Sequence, residues 1–111
     1  MDKLEKYRTL MKKILSEGAK YPPAHGNIES FTVFDEENDS YQLMHVGWSG
    51  NWRTHGAVMH LRLHHGKIWI EHDGTEEGVA QILLDEGVPK EDIVLAFHPE
   101  WKRKWTDFAV T

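Results

Sequence analysis

The chain has no cysteine among its 111 residues, which excludes disulfide bonds and thiolate chemistry. No apolar run approaches the roughly 20 residues that a membrane helix needs. Residues 1–6 are charged and no apolar segment follows them, so we predict no signal peptide and a cytoplasmic location. The length fits a single domain over residues 1–111.

The charges are distributed unevenly along the chain. The net charge is −5, yet residues 1–20 carry six Lys/Arg against three Asp/Glu, residues 21–97 carry four against thirteen, and residues 98–111 carry three against two. A protein that binds DNA alone is usually basic, because binding neutralises phosphates. The acidic body therefore argues against stand-alone nucleic-acid binding, and the basic ends suggest DNA only as an indirect or weak partner.

Hydrophobic spacing predicts one helix followed by strands. Apolar residues recur at helical spacing over residues 1–18, with Gly18 as the predicted end. Residues 28–34, 41–48, 52–64 and 67–72 are rich in β-branched and aromatic residues and are joined by short loops, which predicts an antiparallel meander. In the third strand, alternation predicts one core face, formed by Ala57, Met59, Leu61 and Leu63.

A second helix and a further strand complete the predicted domain. Asp73 is the predicted cap, with Glu76 completing a capping box and Thr75 as the alternative cap, and the helix runs to Glu86 before Gly87. Residues 88–92 form a short helical turn, and the apolar residues 93–97 form a buried strand with a parallel partner. The predicted class is α+β: an N-terminal helix, a four-stranded antiparallel meander, then a helix and a further strand in the same sheet.

Catalytic motifs are missing from the sequence. It has neither a Gly-x-Ser-x-Gly motif nor a glycine-rich phosphate loop. His60 and His64 share a strand face and could bind zinc with a third ligand, but Arg62 between them disfavours a divalent cation. We therefore predict no enzyme, no metal and no cofactor. A metal-dependent hydrolase is a remote alternative, with candidate residues His60, His98, Asp73 and Glu76.

The five tryptophans suggest interaction surfaces. Tryptophan is enriched in cores and interface anchors, and a Trp-rich basic tail could also stack on bases. A single sheet with two helices to cover it is expected to leave one face open for a partner, and the small core predicts a homodimer. Partner-interface candidates are Trp48, Trp52, His60, His98, Trp101 and Trp105. Nucleic-acid candidates are Lys102, Arg103 and Lys104.

Several sequence blocks, in this order and spacing, resemble the XisI family, the fdxN element excision controlling factors of cyanobacteria. They are the N-terminal helix, Tyr41-Gln42-Leu43 leading to Val46-Gly47-Trp48, Lys67-Ile68-Trp69-Ile70, Asp73-Gly74-Thr75-Glu76, and Gly87 to His98 with Val88-Pro89-Lys90-Glu91-Asp92 inside it. The resemblance runs essentially from end to end, and residues 87–98 are its most specific part. Departures from the family pattern occur at Lys104, Trp105 and Asp107, where Pro, Tyr and Gly are expected.

The resemblance implies an accessory role in programmed DNA excision. In that system a site-specific recombinase cuts and rejoins the DNA, and XisI-type proteins act alongside a companion, XisH, that resembles nuclease-fold proteins. The leading hypothesis is therefore a non-catalytic binding protein that controls a XisH-like partner. Direct DNA binding through the basic ends is the second hypothesis.

Overall fold

The computed structural model describes residues 2–76 and 78–111, which form two layers, with helices packed on a five-stranded sheet. The elements are α1 (Lys3–Ala19), β1 (Asn27–Asp35), β2 (Ser40–Ser49), β3 (Trp52–His64), β4 (Lys67–Asp73), α2 (Val79–Asp85), a 3-10 turn (Lys90–Asp92), β5 (Ile93–Leu95) and α3 (Glu100–Arg103). The strand order is β1-β2-β3-β4-β5; the first four pair antiparallel and β5 runs parallel to β4. This confirms the predicted α+β class and strand arrangement.

Helix α1 begins at a side-chain cap and covers the inner face of the sheet. The Asp2 carboxylate accepts a hydrogen bond of 2.8 Å from the Glu5 N–H, which satisfies one of the free donors of the first turn. The buried face of the helix consists of Tyr7, Met11, Ile14 and Leu15. The helix continues to Ala19, one residue beyond the predicted end at Gly18. Gly18 instead permits close packing, since a Cβ there would lie 2.8 Å from Leu43 Cδ2.

The inner face of the sheet carries the hydrophobic core. Its buried side chains include Tyr41, Leu43, Met59, Leu61, Leu63, Ile68 and Ile70, and α2 adds Val79 and Leu83. No helix in residues 2–76 and 78–111 is long and apolar enough to span a bilayer.

A bulge in β3 overturns one predicted core position. Leu43 pairs with Met59, whereas Met44 pairs with Ala57, so Val58 is the extra residue. Opposite residues share a sheet face, which places Ala57 with Met44 on the face of the sheet that points away from α1. The prediction that Ala57 shares the core face of Met59 is therefore wrong, because strict alternation cannot reveal a bulge.

Helix α2 begins later than predicted. It starts at Val79, and Asp73 closes β4 instead of directly preceding the helix. The Asp73 carboxylate still satisfies the first helical donor by accepting a hydrogen bond of 2.7 Å from the Val79 N–H. Glu76 lies in the intervening loop, so the predicted capping box is wrong, and Glu77 lies outside the described residues. Strand β5 ends at Leu95, two residues before the predicted end.

Candidate functional site

The outer face, which is the sheet face opposite α1, is covered only over β4 and β5. The C-terminal segment (residues 96–111) supplies this cover. Within it, Ala109 forms a parallel bridge to Val94, and the Arg103 guanidinium lies 5.5 Å from the centre of the Trp69 ring. The segment therefore closes the β5 edge and shields Trp69, leaving the outer face of β1, β2 and β3 without a covering element among the described residues.

This bare half carries an apolar cluster that we call the outer patch: Phe31, Val33, Met44, Val46 and Trp48. Strand register places them on one face, since Phe31 lies opposite Met44 and β1 and β2 remain in register along their length. Phe31 is 40% exposed, Val33 41% and Trp48 52%. A contiguous exposed apolar patch on a small domain commonly marks an interaction surface, and this is the open sheet face that the sequence predicts.

The predicted interface tryptophans lie in two separate places. Trp48 and Trp52 flank the β2–β3 turn, but on opposite faces, because Trp52 pairs with Ser49 and neighbouring residues of a strand point to opposite sides. Trp101 and Trp105 lie in the C-terminal segment beyond β5 and are 66% and 85% exposed. Of the four, only Trp48 belongs to the outer patch, where Arg53 lies 5.3 Å from its ring centre.

His60 lies on the outer face of β3 and bonds to a serine that the sequence did not single out. Its Nε2 lies 2.8 Å from the Ser40 Oγ of β2, and burial lowers the pKa of His60 below its ordinary value. If His60 acted as a base for Ser40, a third group would have to orient the His60 ring. The nearby acid is Glu71, and its carboxylate instead accepts a hydrogen bond of 3.3 Å from Arg62. The observed arrangement is a cross-strand polar contact.

The remaining hydrolase candidates are His98, Asp73 and Glu76, and their observed contacts are local. The His98 ring packs edge-on against Phe97 at 4.5 Å between centres, and the His98 carbonyl accepts a hydrogen bond from Arg103. Asp73 caps α2, and Glu76 lies in the loop before it. Residues 2–76 and 78–111 contain no group of three His, Cys, Asp or Glu side chains that could hold a metal ion.

Arg103 holds the C-terminal segment together. Its Nε donates to the carbonyl of His98 at 2.9 Å, Nη1 donates to Val110 at 3.1 Å and Nη2 donates to Ala96 at 3.5 Å. Guanidinium geometry suits several simultaneous acceptors. Of the three nucleic-acid candidates, Arg103 is thus engaged inside the segment, whereas Lys102 and Lys104 are exposed.

The basic residues at the start of the chain are mostly paired with the acidic body. Five of them form ion pairs: Lys3 with Asp92, Arg8 with Glu5 and Asp39, Lys12 with Glu36, Lys13 with Glu86, and Lys20 with Glu17. Exposed pairs contribute little stability individually. These ion pairs nevertheless reduce the positive charge that α1 presents to phosphates.

Asp92 is a buried carboxylate whose contacts are not apparent from the sequence. Burial opposes its ionisation, but hydrogen bonds from Lys3 and Tyr7 outweigh that effect and hold the pKa of Asp92 below its ordinary value. The Tyr7 hydroxyl is buried with it, and burial together with Asp92 raises the pKa of Tyr7. This cluster joins α1 to the turn before β5.

These features define a small α+β domain, built on a mixed five-stranded sheet, with one exposed apolar patch on its outer face. The chain belongs to the XisI family, whose family model, described as XisI protein, matches residues 1–110. No curated protein matches the chain.

Two solved structures from Anabaena variabilis ATCC 29413 are similar over nearly the whole chain. A XisI-like protein is 38% identical, with 97% of this chain and 99% of that chain covered and a TM-score of 0.90. The fdxN element excision controlling factor XisI is 32% identical, with 99% of this chain and 100% of that chain covered and a TM-score of 0.83. The likeness therefore extends to the strand order that places the outer patch.

Proposed function

We propose that this protein is a non-catalytic, cytoplasmic accessory factor that controls excision of a DNA element by site-specific recombination, and that it acts by binding a XisH-like protein with a nuclease fold. Membership of the XisI family and similarity to an fdxN element excision controlling factor support the role. The observation that carries the binding mode is the outer patch, which the C-terminal segment leaves bare.

The outer patch has the chemistry of a protein interface. Tryptophan and arginine are the residue types that most often dominate binding energy, and Trp48 and Arg53 lie together at one end of the patch. The rest of the patch is aliphatic or aromatic and supplies area that excludes water. The net charge of −5 favours approach to a basic, DNA-handling protein and opposes approach to DNA itself.

Binding of a XisH-like protein tests the proposal. A XisH-like protein from the same genome, mixed with this chain at micromolar concentration, should co-elute with it in gel filtration at physiological salt. Trp48→Ala should weaken binding by tenfold or more, since a tryptophan that dominates an interface contributes about 2 kcal/mol or more. Trp105→Ala is the matched control, because Trp105 is exposed but lies outside the outer patch.

Two results would contradict this proposal. Separate elution of the two proteins would exclude the partnership. Equal affinity of Trp48→Ala and the unmodified chain, with Trp105→Ala weakened instead, would move the interface from the outer patch to the C-terminal segment.

Direct DNA binding is the second candidate function, and one observation favours it. Lys102 and Lys104 alternate with the exposed rings of Trp101 and Trp105, an arrangement that suits phosphate contacts and base stacking. A gel-shift titration should then show retardation that weakens with salt and with a Lys102→Ala/Lys104→Ala double substitution. If the protein does not retard DNA even at low salt, this function is excluded.

A further inference from the structure

Strand β1 forms an open edge of the sheet. It has nine residues, it pairs with β2 without a register shift, and its charged residues are Glu29 and Asp35, with no lysine or proline. Proteins usually protect such an edge by keeping it short, bulged, charged or covered. The opposite edge follows that rule, since β5 has three residues and Ala109 bridges to it. Within the described residues, nothing pairs with the free side of β1.

The sequence of β1 is complementary to itself when it is paired antiparallel around Phe31. Glu29 then faces Val33 of a second copy, Asn27 faces Asp35, and Phe31 faces Phe31 on the two-fold axis. This register aligns all nine residues and places no like charges opposite each other. Moving the axis by one residue to Thr32 would place Glu29 opposite Asp35, which is unfavourable.

Hydroxyl side chains also face each other in this register. Pairing around Phe31 places Thr32 of the second copy directly opposite Ser30, and cross-strand Ser–Thr pairs form hydrogen bonds. The Oγ of Ser30 is buried within the single chain and has no hydrogen-bond partner among the described residues, so its side chain must rotate towards the edge of the sheet to bond to Thr32.

The exposed apolar residues of β1 also fit this partner. Phe34 is 37% exposed on the inner face, and it would pair with Ile28 of the second copy. Phe31, which is 40% exposed on the outer face, would meet Phe31 of the second copy, whereas Val33, 41% exposed, would lie opposite Glu29. Aromatic pairs and aromatic–aliphatic pairs stabilise neighbouring strands.

We infer that two copies of this chain associate through β1, antiparallel and centred on Phe31, into one sheet that continues from molecule to molecule. The inference gives the homodimer that the sequence predicts an interface and a register, and its link to XisH-like binding rests on the proposed function. The two-fold axis is perpendicular to the sheet, so both α1 helices lie on one side and the two outer patches join on the other. A XisH-like partner would then meet a patch of doubled width.

Two opposite charges at one position test the register. Val33→Glu places an acid opposite Glu29 twice in each dimer and should weaken self-association about tenfold or more. Val33→Lys places a base opposite the same Glu29 and should retain the dimer. The assay is light scattering coupled to gel filtration over a micromolar dilution series, with circular dichroism to verify that both variants remain folded.

Cross-linking gives a second, geometric readout because the chain has no cysteine. Phe31→Cys should form a covalent dimer on mild oxidation, since opposite Cα atoms in antiparallel strands lie about 4.5–5.5 Å apart and disulfides span that distance. Trp52→Cys, at a more exposed position that lies on β3 and not on β1, should remain monomeric on denaturing gels.

The outcomes are distinguishable from failure of the XisH-dependent role. A monomeric unmodified chain overturns the dimer and its interface. A dimer that Val33→Glu and Val33→Lys affect equally, with no cross-link through Phe31→Cys, overturns the β1 interface alone. Binding of a XisH-like protein is measured separately, by co-elution, so its failure can be told apart from either of these results.

Discussion

Replacing Arg103 by lysine separates the structural role of this residue from its charge. In the structure, Arg103 donates to three main-chain carbonyls and covers the Trp69 ring. Lysine keeps the positive charge but cannot reach three acceptors in fixed directions. Hydrogen bonds from charged donors contribute about 1.5–3 kcal/mol each, and a part-buried site with one contact retained should lose about 2–3 kcal/mol. For a chain of this size that corresponds to a melting temperature lower by about 10 °C.

Urea and thermal unfolding followed by circular dichroism measure this loss, and amide hydrogen exchange locates it. Protection of the Ala109 N–H, which donates to the Ile93 carbonyl at 2.9 Å, should fall selectively. Lys104→Ala is the matched control: Lys104 is exposed, so its loss should change stability by less than about 0.5 kcal/mol. If Arg103→Lys unfolds at the same urea concentration as the unmodified chain and exchange at Ala109 is unchanged, the three carbonyl contacts do not hold the C-terminal segment.

Two further substitutions test the Tyr7–Asp92 hydrogen bond and the close approach of β1 to β2. Tyr7→Phe should lower the free energy of unfolding by about 2 kcal/mol at neutral pH, because it removes the hydrogen bond to Asp92. The folded-state pKa of Asp92 is depressed, so this stabilisation is present above about pH 3.9 and is lost as the pH falls through the folded-state pKa. Urea unfolding at low pH should therefore show a smaller difference between Tyr7→Phe and the unmodified chain. Gly47→Ala should destabilise the fold by about 1–3 kcal/mol or more, since its Cβ would lie 2.0 Å from the Asn27 carbonyl oxygen. Gly56→Ala is the control, because its Cβ would meet no atom within 4 Å. Equal melting temperatures for these two variants would contradict the close approach of β1 to β2.

Periodic patterns predicted the elements well, because burial on one face imposes them. The apolar spacing of residues 1–18 located α1 to within one residue at its end, and four strands of the meander were placed within a residue or two. The apolar run after Pro89 predicted the parallel strand, because a strand–helix–strand connection of that length returns to a neighbouring position. In each case the signal lies in neighbouring residues of the chain.

Features that depend on pairing between distant residues were not predictable in the same way. The bulge at Val58 moves Ala57 to the outer face, yet it leaves no mark on the alternation of apolar residues. The contact of Ser40 with His60 exists only because of strand register. The late start of α2 arises because Asp73 reaches across a loop to the Val79 N–H, whereas a capping box assumes that the helix follows at once.

The outer patch shows how one such distant contact determines a surface. The number of helices predicted that one sheet face would be incompletely covered, but not which half. Arg103 contributes to this, because its three carbonyl contacts hold the C-terminal segment together while its guanidinium lies over Trp69 of β4. In the sequence, Arg103 is one of three adjacent basic residues and suggested phosphate binding. In the structure its charge is used inside the chain, and the consequence is that Trp48 and its neighbours on β1 and β2 remain available to a partner.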